Sequence, residues 1–115
     1  MTDLVFSALA DSRRRDILLL LRKGERNSGD LAGHFRVSWP AVSRDLRLLK
    51  EAKLVNERRL GRERLYTLNR PQLVRVLGGW VAAFDARWAE SLENLKRQLE
   101  STPNTPKERS HDSRR

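Results

Sequence analysis

Ser38-Trp39-Pro40-Ala41-Val42-Ser43-Arg44-Asp45-Leu46-Arg47-Leu48-Leu49-Lys50 decides the fold. Wound as a helix, it carries Val42, Leu46 and Leu49 at i, i+4 and i+7, which makes one apolar stripe. The opposite stripe holds Pro40, Ser43, Arg44 and Arg47, with Trp39 at its leading end. Ser38 is a natural N-cap, and Pro40 falls in the first turn, where its missing N–H costs nothing. A helix that buries one face keeps the other for a ligand. Arginines and short hydroxyls on that free face suit a nucleic-acid groove.

Upstream, Ser28 reads as the cap of a short helix whose inner face is Leu31, Ala32 and Phe35, with Arg36-Val37 as the turn. Leu4, Phe6 and Leu9 mark an N-terminal helix. Asp11-Ser12 then caps a second one, Arg13 to Lys23, closed by Gly24. Its leading Arg13, Arg14 and Arg15 read as a solvated first turn in preference to DNA contacts. Downstream, Leu54 to Leu60 and Arg64 to Leu68 form a hairpin around Leu60-Gly61-Arg62, where Gly61 supplies positive φ. Val55, Leu65, Tyr66 and Leu68 give it a side that packs, and Arg58, Arg59, Arg62 and Arg64 gather around its tip.

Pro71 opens a long helix running to about Ser101, with Leu73, Leu77, Trp80, Phe84, Trp88, Leu92, Leu95 and Leu99 at three- and four-residue steps. Gly78-Gly79 interrupts it at roughly 1 kcal/mol per glycine against alanine, which marks a bend or a close approach. The expected domain is residues 1–101. The end of the chain, 102–115, lacks large apolar residues and reads as a disordered basic tail.

The bulk composition limits the function classes. The chain has 115 residues, enough for one core, and a formal charge of +9. The last fifteen residues contribute only four basic and two acidic groups, so +7 belongs to the rest, and such a field favours polyanions. Cysteine is absent, which excludes disulfides and thiolate metal sites and fits a reducing cytoplasm. The longest apolar run, Ile17 to Leu21, is too short to cross a bilayer, and the N-terminus lacks the layout of a signal peptide. A cytoplasmic protein with no membrane partner is expected.

Two histidines, His34 and His111, and the carboxylates Asp85, Glu90 and Glu93 do not make a metal-ligand pattern, so no metal site and no cofactor are expected. There is no glycine-rich phosphate loop and no Ser/His/carboxylate grouping, which argues against an enzyme.

A helix pair, a two-faced helix and a basic hairpin, in that order, make a winged helix-turn-helix: mainly α with a small β-hairpin. Phe6-Ser-Ala-Leu-Ala-Asp-Ser-Arg-Arg-Arg-Asp-Ile-Leu resembles the opening signature of the ArsR/SmtB-type bacterial repressors. So does Trp39-Pro-Ala-Val-Ser-Arg-Asp-Leu-Arg-Leu-Leu-Lys-Glu-Ala, followed by Leu54-Val55 and the Gly61-Arg62 wing. The resemblance spans roughly residues 3 to 100. Trp80, Phe84 and Trp88 further resemble the aromatic C-terminal helix of a branch without cysteine metal boxes.

Two departures stand out. Asp45 lies where the family commonly has histidine; it could read a cytosine amino group, pair with a neighbouring arginine, or repel phosphate. Lys53 replaces the glycine usual at the helix end, and a non-glycine residue in a left-handed cap costs about 1 kcal/mol. The helix could therefore end differently here.

The resemblance implies a sequence-specific transcriptional repressor on double-stranded DNA. Ser38, Trp39, Pro40, Ser43, Arg44 and Arg47 would enter the major groove. Ser38 could equally spend its hydroxyl on the cap, and Trp39 could simply cover the turn. Arg58, Arg59, Arg62 and Arg64 would lie against phosphates, with Arg62 best placed for a minor groove. Lys50 and Lys53 read as helix-end charges as readily as contacts.

The C-terminal helix outruns what a small domain can cover. It is therefore assigned, with the N-terminal helix, to a twofold homodimer interface of Leu4, Trp80, Phe84, Trp88, Leu92 and Leu95. Such a dimer would sit on a palindromic operator. An apolar pocket between the aromatic helix and the core could hold a small-molecule effector, packing being the plainer role of Trp80 and Trp88. The competing classes are a non-specific architectural nucleic-acid-binding protein and a protein-interaction module.

Overall fold

The buried residues alternate with the helical period through the first half of the chain and converge on one core. The structure, a computed structural model, describes residues 2–101; the tail expected at 102–115 lies outside them. In chain order the elements are α1 (Thr2–Ala8), α2 (Ser12–Leu21), β1 (Arg26–Asn27), α3 (Ser28–Phe35), α4 (Trp39–Glu51), β2 (Val55–Leu60), β3 (Glu63–Leu68), α5 (Arg70–Ala82) and α6 (Ala86–Ser101). The predicted winged helix-turn-helix is thus present: α3 and α4 form the helix pair, and β2–β3 is the wing.

Ile17, Leu18 and Leu21 of α2, Leu31 and Ala32 of α3, and Val42, Leu46 and Leu49 of α4 are buried together. Each fully buried aliphatic side chain of this kind contributes about 1.5–3 kcal/mol. From α1 the buried residues are Val5 and Ala8. Leu4 is on the outer face.

Caps fix where the helices begin and end. Ser38 Oγ accepts the Ala41 N–H at 3.3 Å, as expected of an N-cap. For α3 the cap is Asn27, one residue before the predicted Ser28: its Oδ1 accepts the Asp30 N–H at 2.7 Å. Two adjacent residues could cap, and the longer amide reached the free N–H.

At the end of α4, Lys53 takes the left-handed conformation at φ 62°. The Leu54 N–H donates to Leu49 O and the Lys53 N–H to Lys50 O, each at 2.9 Å. That is the closure a glycine would make. The Asn69 side-chain amide donates to Lys53 O at 2.8 Å and helps hold it. Replacing glycine changed the cost of the turn, not its shape.

The hairpin closes on Gly61-Arg62, with Leu60 opposite Glu63 and Val55 opposite Leu68. Gly61 sits at φ 63°, as predicted. A third strand, β1, pairs Arg26 with Tyr66 and Asn27 with Leu65, giving the order β1-β3-β2. Two residues are too few to show alternation, so the sequence does not reveal it.

The stretch predicted as one helix from Pro71 to about Ser101 is two helices. The break falls at Ala83–Asp85, not at Gly78-Gly79. Asp85 starts α6 by accepting the Arg87 N–H at 2.9 Å. Gly78 serves the close approach of the returning helix: a Cβ there would lie 2.5 Å from Leu92 Cδ1. Among the described residues, no helix is long and apolar enough to cross a membrane.

Candidate nucleic-acid interface

The pattern of α4 translates directly into a surface. Pro40, Ser43, Arg44 and Arg47 are exposed on the side opposite Val42, Leu46 and Leu49, with exposed Trp39 at the leading end and the exposed cap Ser38 just before it. Trp39 is 60% exposed, yet its ring lies over Gly29, where a Cβ would come within 3.0 Å. It therefore covers the turn and still offers a free face. Ser38 uses its hydroxyl as the cap acceptor.

A trough of about 790 Å³ runs between α4 and the wing, with Trp39, Ser43 and Arg47 on one side and Arg62 and Arg64 on the other. Three carboxylates also line it: Asp30, Glu57 and Glu63. Glu57 is neutralised within the trough. Lys50 Nζ donates to it at 2.5 Å and Arg64 Nε stands 3.4 Å away. The hydrogen bond from Lys50, with further attraction from Arg64 and Arg59, holds the Glu57 carboxyl below its ordinary range.

The predicted wing arginines separate. Period-two alternation sends Arg58 and Arg59 to opposite faces. Arg58 is gripped by Glu25 through Nε at 2.7 Å and Nη2 at 2.9 Å, a bidentate pair that ties its guanidinium to that carboxylate. Arg59 and Arg64 are cross-strand partners, an unfavourable pairing of like charges. Arg44, Arg47, Arg59 and Arg62 have no ion pair with any described carboxylate.

Asp45 is not on this surface. It is 2% exposed, on the flank of α4 that faces α2. Arg13 Nε donates to its Oδ2 at 2.5 Å, and Arg14 Nη1 to its Oδ1 at 3.4 Å. Of the three roles open from sequence, pairing with arginine is the one present. The hydrogen bond to Asp45 raises the Arg13 guanidinium above its already high ordinary pKa.

Of the arginines expected to form a solvated first turn of α2, Arg13 and Arg14 are instead drawn into the chain, while Arg15 is exposed. Arg14 also donates to Ala8 O at 2.7 Å and Ser7 O at 3.2 Å, and Arg15 to Leu9 O at 2.6 Å. They satisfy the free carbonyls at the C-terminus of α1, where positive charge is favoured.

A second surface is apolar. Leu4, Trp80, Trp88 and Leu95 are exposed, and Phe84 is 74% exposed. The Trp80 ring stands edge-on to Phe84 at 5.1 Å and to Phe6 at 5.8 Å. Leu92, predicted with this set, is 5% exposed and packed on Gly78 within the chain, because the α5–α6 turn folds it inward.

Comparison with known proteins gives a consistent picture. Residues 11–57 match the profile of the arsR family of bacterial regulatory proteins. The HTH-type transcriptional regulator Rv2034 of Mycobacterium tuberculosis is 35% identical over 99 residues, covering 86% of this chain and 89% of that protein. The transcriptional repressor SdpR of Bacillus subtilis is 43% identical over 65 residues, 56% of this chain and 72% of that one. Among solved structures, the homodimeric winged helix-turn-helix DNA-binding domain Mb0332 of Mycobacterium bovis superposes with a TM-score of 0.60. It shares 31% identity, over 72% of this chain and 78% of that one.

Proposed function

The chain belongs to the arsR family of bacterial regulatory proteins, and from that premise we propose that it is a homodimeric repressor acting on a palindromic operator in the cytoplasm. One observation carries this reading: Trp39, Pro40, Ser43, Arg44 and Arg47 of α4 form a single exposed face whose Arg44 and Arg47 lack carboxylate partners, across a trough from Arg62. An arginine of this kind grips guanine O6 and N7 with two hydrogen bonds, worth about 1–3 kcal/mol of discrimination.

In this reading Arg44 and Arg47, with Ser43 and the free face of Trp39, read bases in the major groove. Ser38 and Pro40 set the helix start against the backbone. Arg59 and Arg64 hold phosphate, and Arg62 at the tip reaches the minor groove. Arg58, engaged by Glu25, contributes least.

The apolar surface of Leu4, Trp80, Phe84, Trp88 and Leu95 is assigned to the twofold interface, and residues 1–101 to one DNA-binding and dimerisation domain. The homodimeric state of the Mycobacterium bovis domain supports that assignment. Two copies would present their α4 helices about one DNA turn apart. A small-molecule effector would release the operator.

The test selects bound fragments from genomic DNA and compares the best site with random DNA at matched salt. The reading expects a preference of about a thousandfold or more, reduced by Arg44→Ala and Arg47→Ala. A ratio near unity favours a non-specific architectural protein instead. Unchanged binding in both variants favours a protein-interaction module.

A further inference from the structure

Away from the trough, and meeting the apolar surface only at Leu95, α2, β3, α5 and α6 enclose an open groove of about 530 Å³. Its floor is aliphatic: Leu18 and Leu19 of α2, Leu73 and Leu77 of α5, and Leu95 and Leu99 of α6. Every polar side chain lining it is an arginine, namely Arg15, Arg22 and Arg70, and no carboxylate lines it. The volume lies within the ordinary range of small-ligand sites, about 300–1,000 Å³.

The arginines are gathered there by the fold. Arg70 Nη2 donates to Arg22 O at 3.1 Å, which brings the start of α5 against the end of α2. Arg15 spends one donor on Leu9 O. The Arg22 side chain has no ion pair with a described residue. An aliphatic floor beside unneutralised guanidiniums matches one ligand chemistry: an extended apolar body with a single anionic head. A cationic amphiphile would meet like charge, and a neutral one would leave the arginines unused.

We propose that this groove binds a linear-chain carboxylate, and that this is the effector site. The effect on DNA rests on the repressor reading above; the binding itself does not. A chain lying between α2 and α6 bears on both halves of the molecule. Leu95 belongs also to the exposed apolar surface of α6, and α2 holds α4 through Arg13, Arg14 and Asp45. Occupancy therefore shifts the dimer helix against the helix that carries the reading face.

The experiment titrates the full chain with dodecanoate, below its micellar concentration, and with dodecan-1-ol as the uncharged control of equal length. Dodecanoate should bind about tenfold or more tightly than the alcohol, since the charge-assisted contacts are missing from the latter. Arg22→Ala should remove much of that advantage. Leu19→Glu, at a position 55% exposed and so tolerant of charge, should abolish dodecanoate binding with the fold intact by circular dichroism.

Equal affinity for acid and alcohol, or indifference to both substitutions, overturns the proposal. So does a monomer on sedimentation of Leu19→Glu, which would give the groove to a second copy. Operator binding is measured on the same samples. Its retention without dodecanoate binding sinks the groove alone, and its absence alongside dodecanoate binding sinks the repressor reading alone.

Discussion

Asp45 and Arg13 are joined at 2.5 Å behind α4, so the one carboxylate on the fourth helix's central turns faces the core and not the solvent. Arg14 completes the arrangement and carries it on to α1, whose last carbonyls it also binds. The pairs link three helices: α1 at the outer apolar surface, α2 in the core, and α4 with its exposed cationic face.

Asp45→Ala should therefore destabilise the fold by about 2–4 kcal/mol, near the range for breaking a buried ion pair and lowered because Arg13 is partly exposed. Asp45→Asn keeps the shape and some acceptor capacity and should cost less. Urea unfolding of both variants checks the order. Equal stability of wild type and Asp45→Ala would mean that water serves the two guanidiniums as well as the carboxylate does.

Glu57 makes the wing sensitive to acid. Its folded pKa is lowered, chiefly by the hydrogen bond from Lys50, so its contribution is present above the ordinary glutamate range. It is lost as pH falls beneath the ordinary glutamate range and through the lower folded value. Lys50 is more than half exposed, which keeps the effect under about 1 kcal/mol. Urea midpoints measured from pH 6 to pH 3 should fall more steeply for the wild type than for Glu57→Gln. Parallel curves would assign the acid sensitivity elsewhere.

How far the sequence is legible depends on the range of the interaction concerned. The α4 stripe, its Ser38 cap and the Gly61 turn are local matters of period and φ, and they are found where the residues predict. The exposed face of Pro40, Ser43, Arg44 and Arg47 follows from the same period. Asp45 could not be assigned this way, because its partner Arg13 lies 32 positions off and meets it only once α2 packs on α4. Arg58 and Glu25, 33 apart, are hidden for the same reason. The break at Asp85 was masked by an apolar period that continues through it, although an aspartate N-cap was available as a signal. The arginine-rimmed groove depends on four elements at once and has no sequence signature.

Gly78 and Gly79 separate two reasons for glycine in a helix. A Cβ at Gly79 meets nothing within 4 Å, whereas one at Gly78 would press on Leu92. Gly79→Ala should gain up to about 1 kcal/mol from helix propensity. Gly78→Ala should gain less or lose, because Leu92 must turn in a packed site. Thermal unfolding of the pair decides it; equal gains would mean that Leu92 moves freely.

Phe84 is the sharpest probe of the apolar surface. It lies 74% exposed between α5 and α6, in ring contact with Trp80, and an exposed aromatic cluster of this kind is uncommon on a lone soluble domain. Phe84→Glu removes little intramolecular packing, so the helical content of the chain should stay unchanged by circular dichroism. If the surface joins two copies, sedimentation should report a monomer at concentrations where the wild type is a dimer. Affinity for a two-half-site operator should then fall by about a hundredfold, as the second half-site loses its tethered copy. Affinity for a single half-site should barely change. A dimer that survives Phe84→Glu would move the interface away from this cluster while leaving the proposal for the cationic face of α4 untouched.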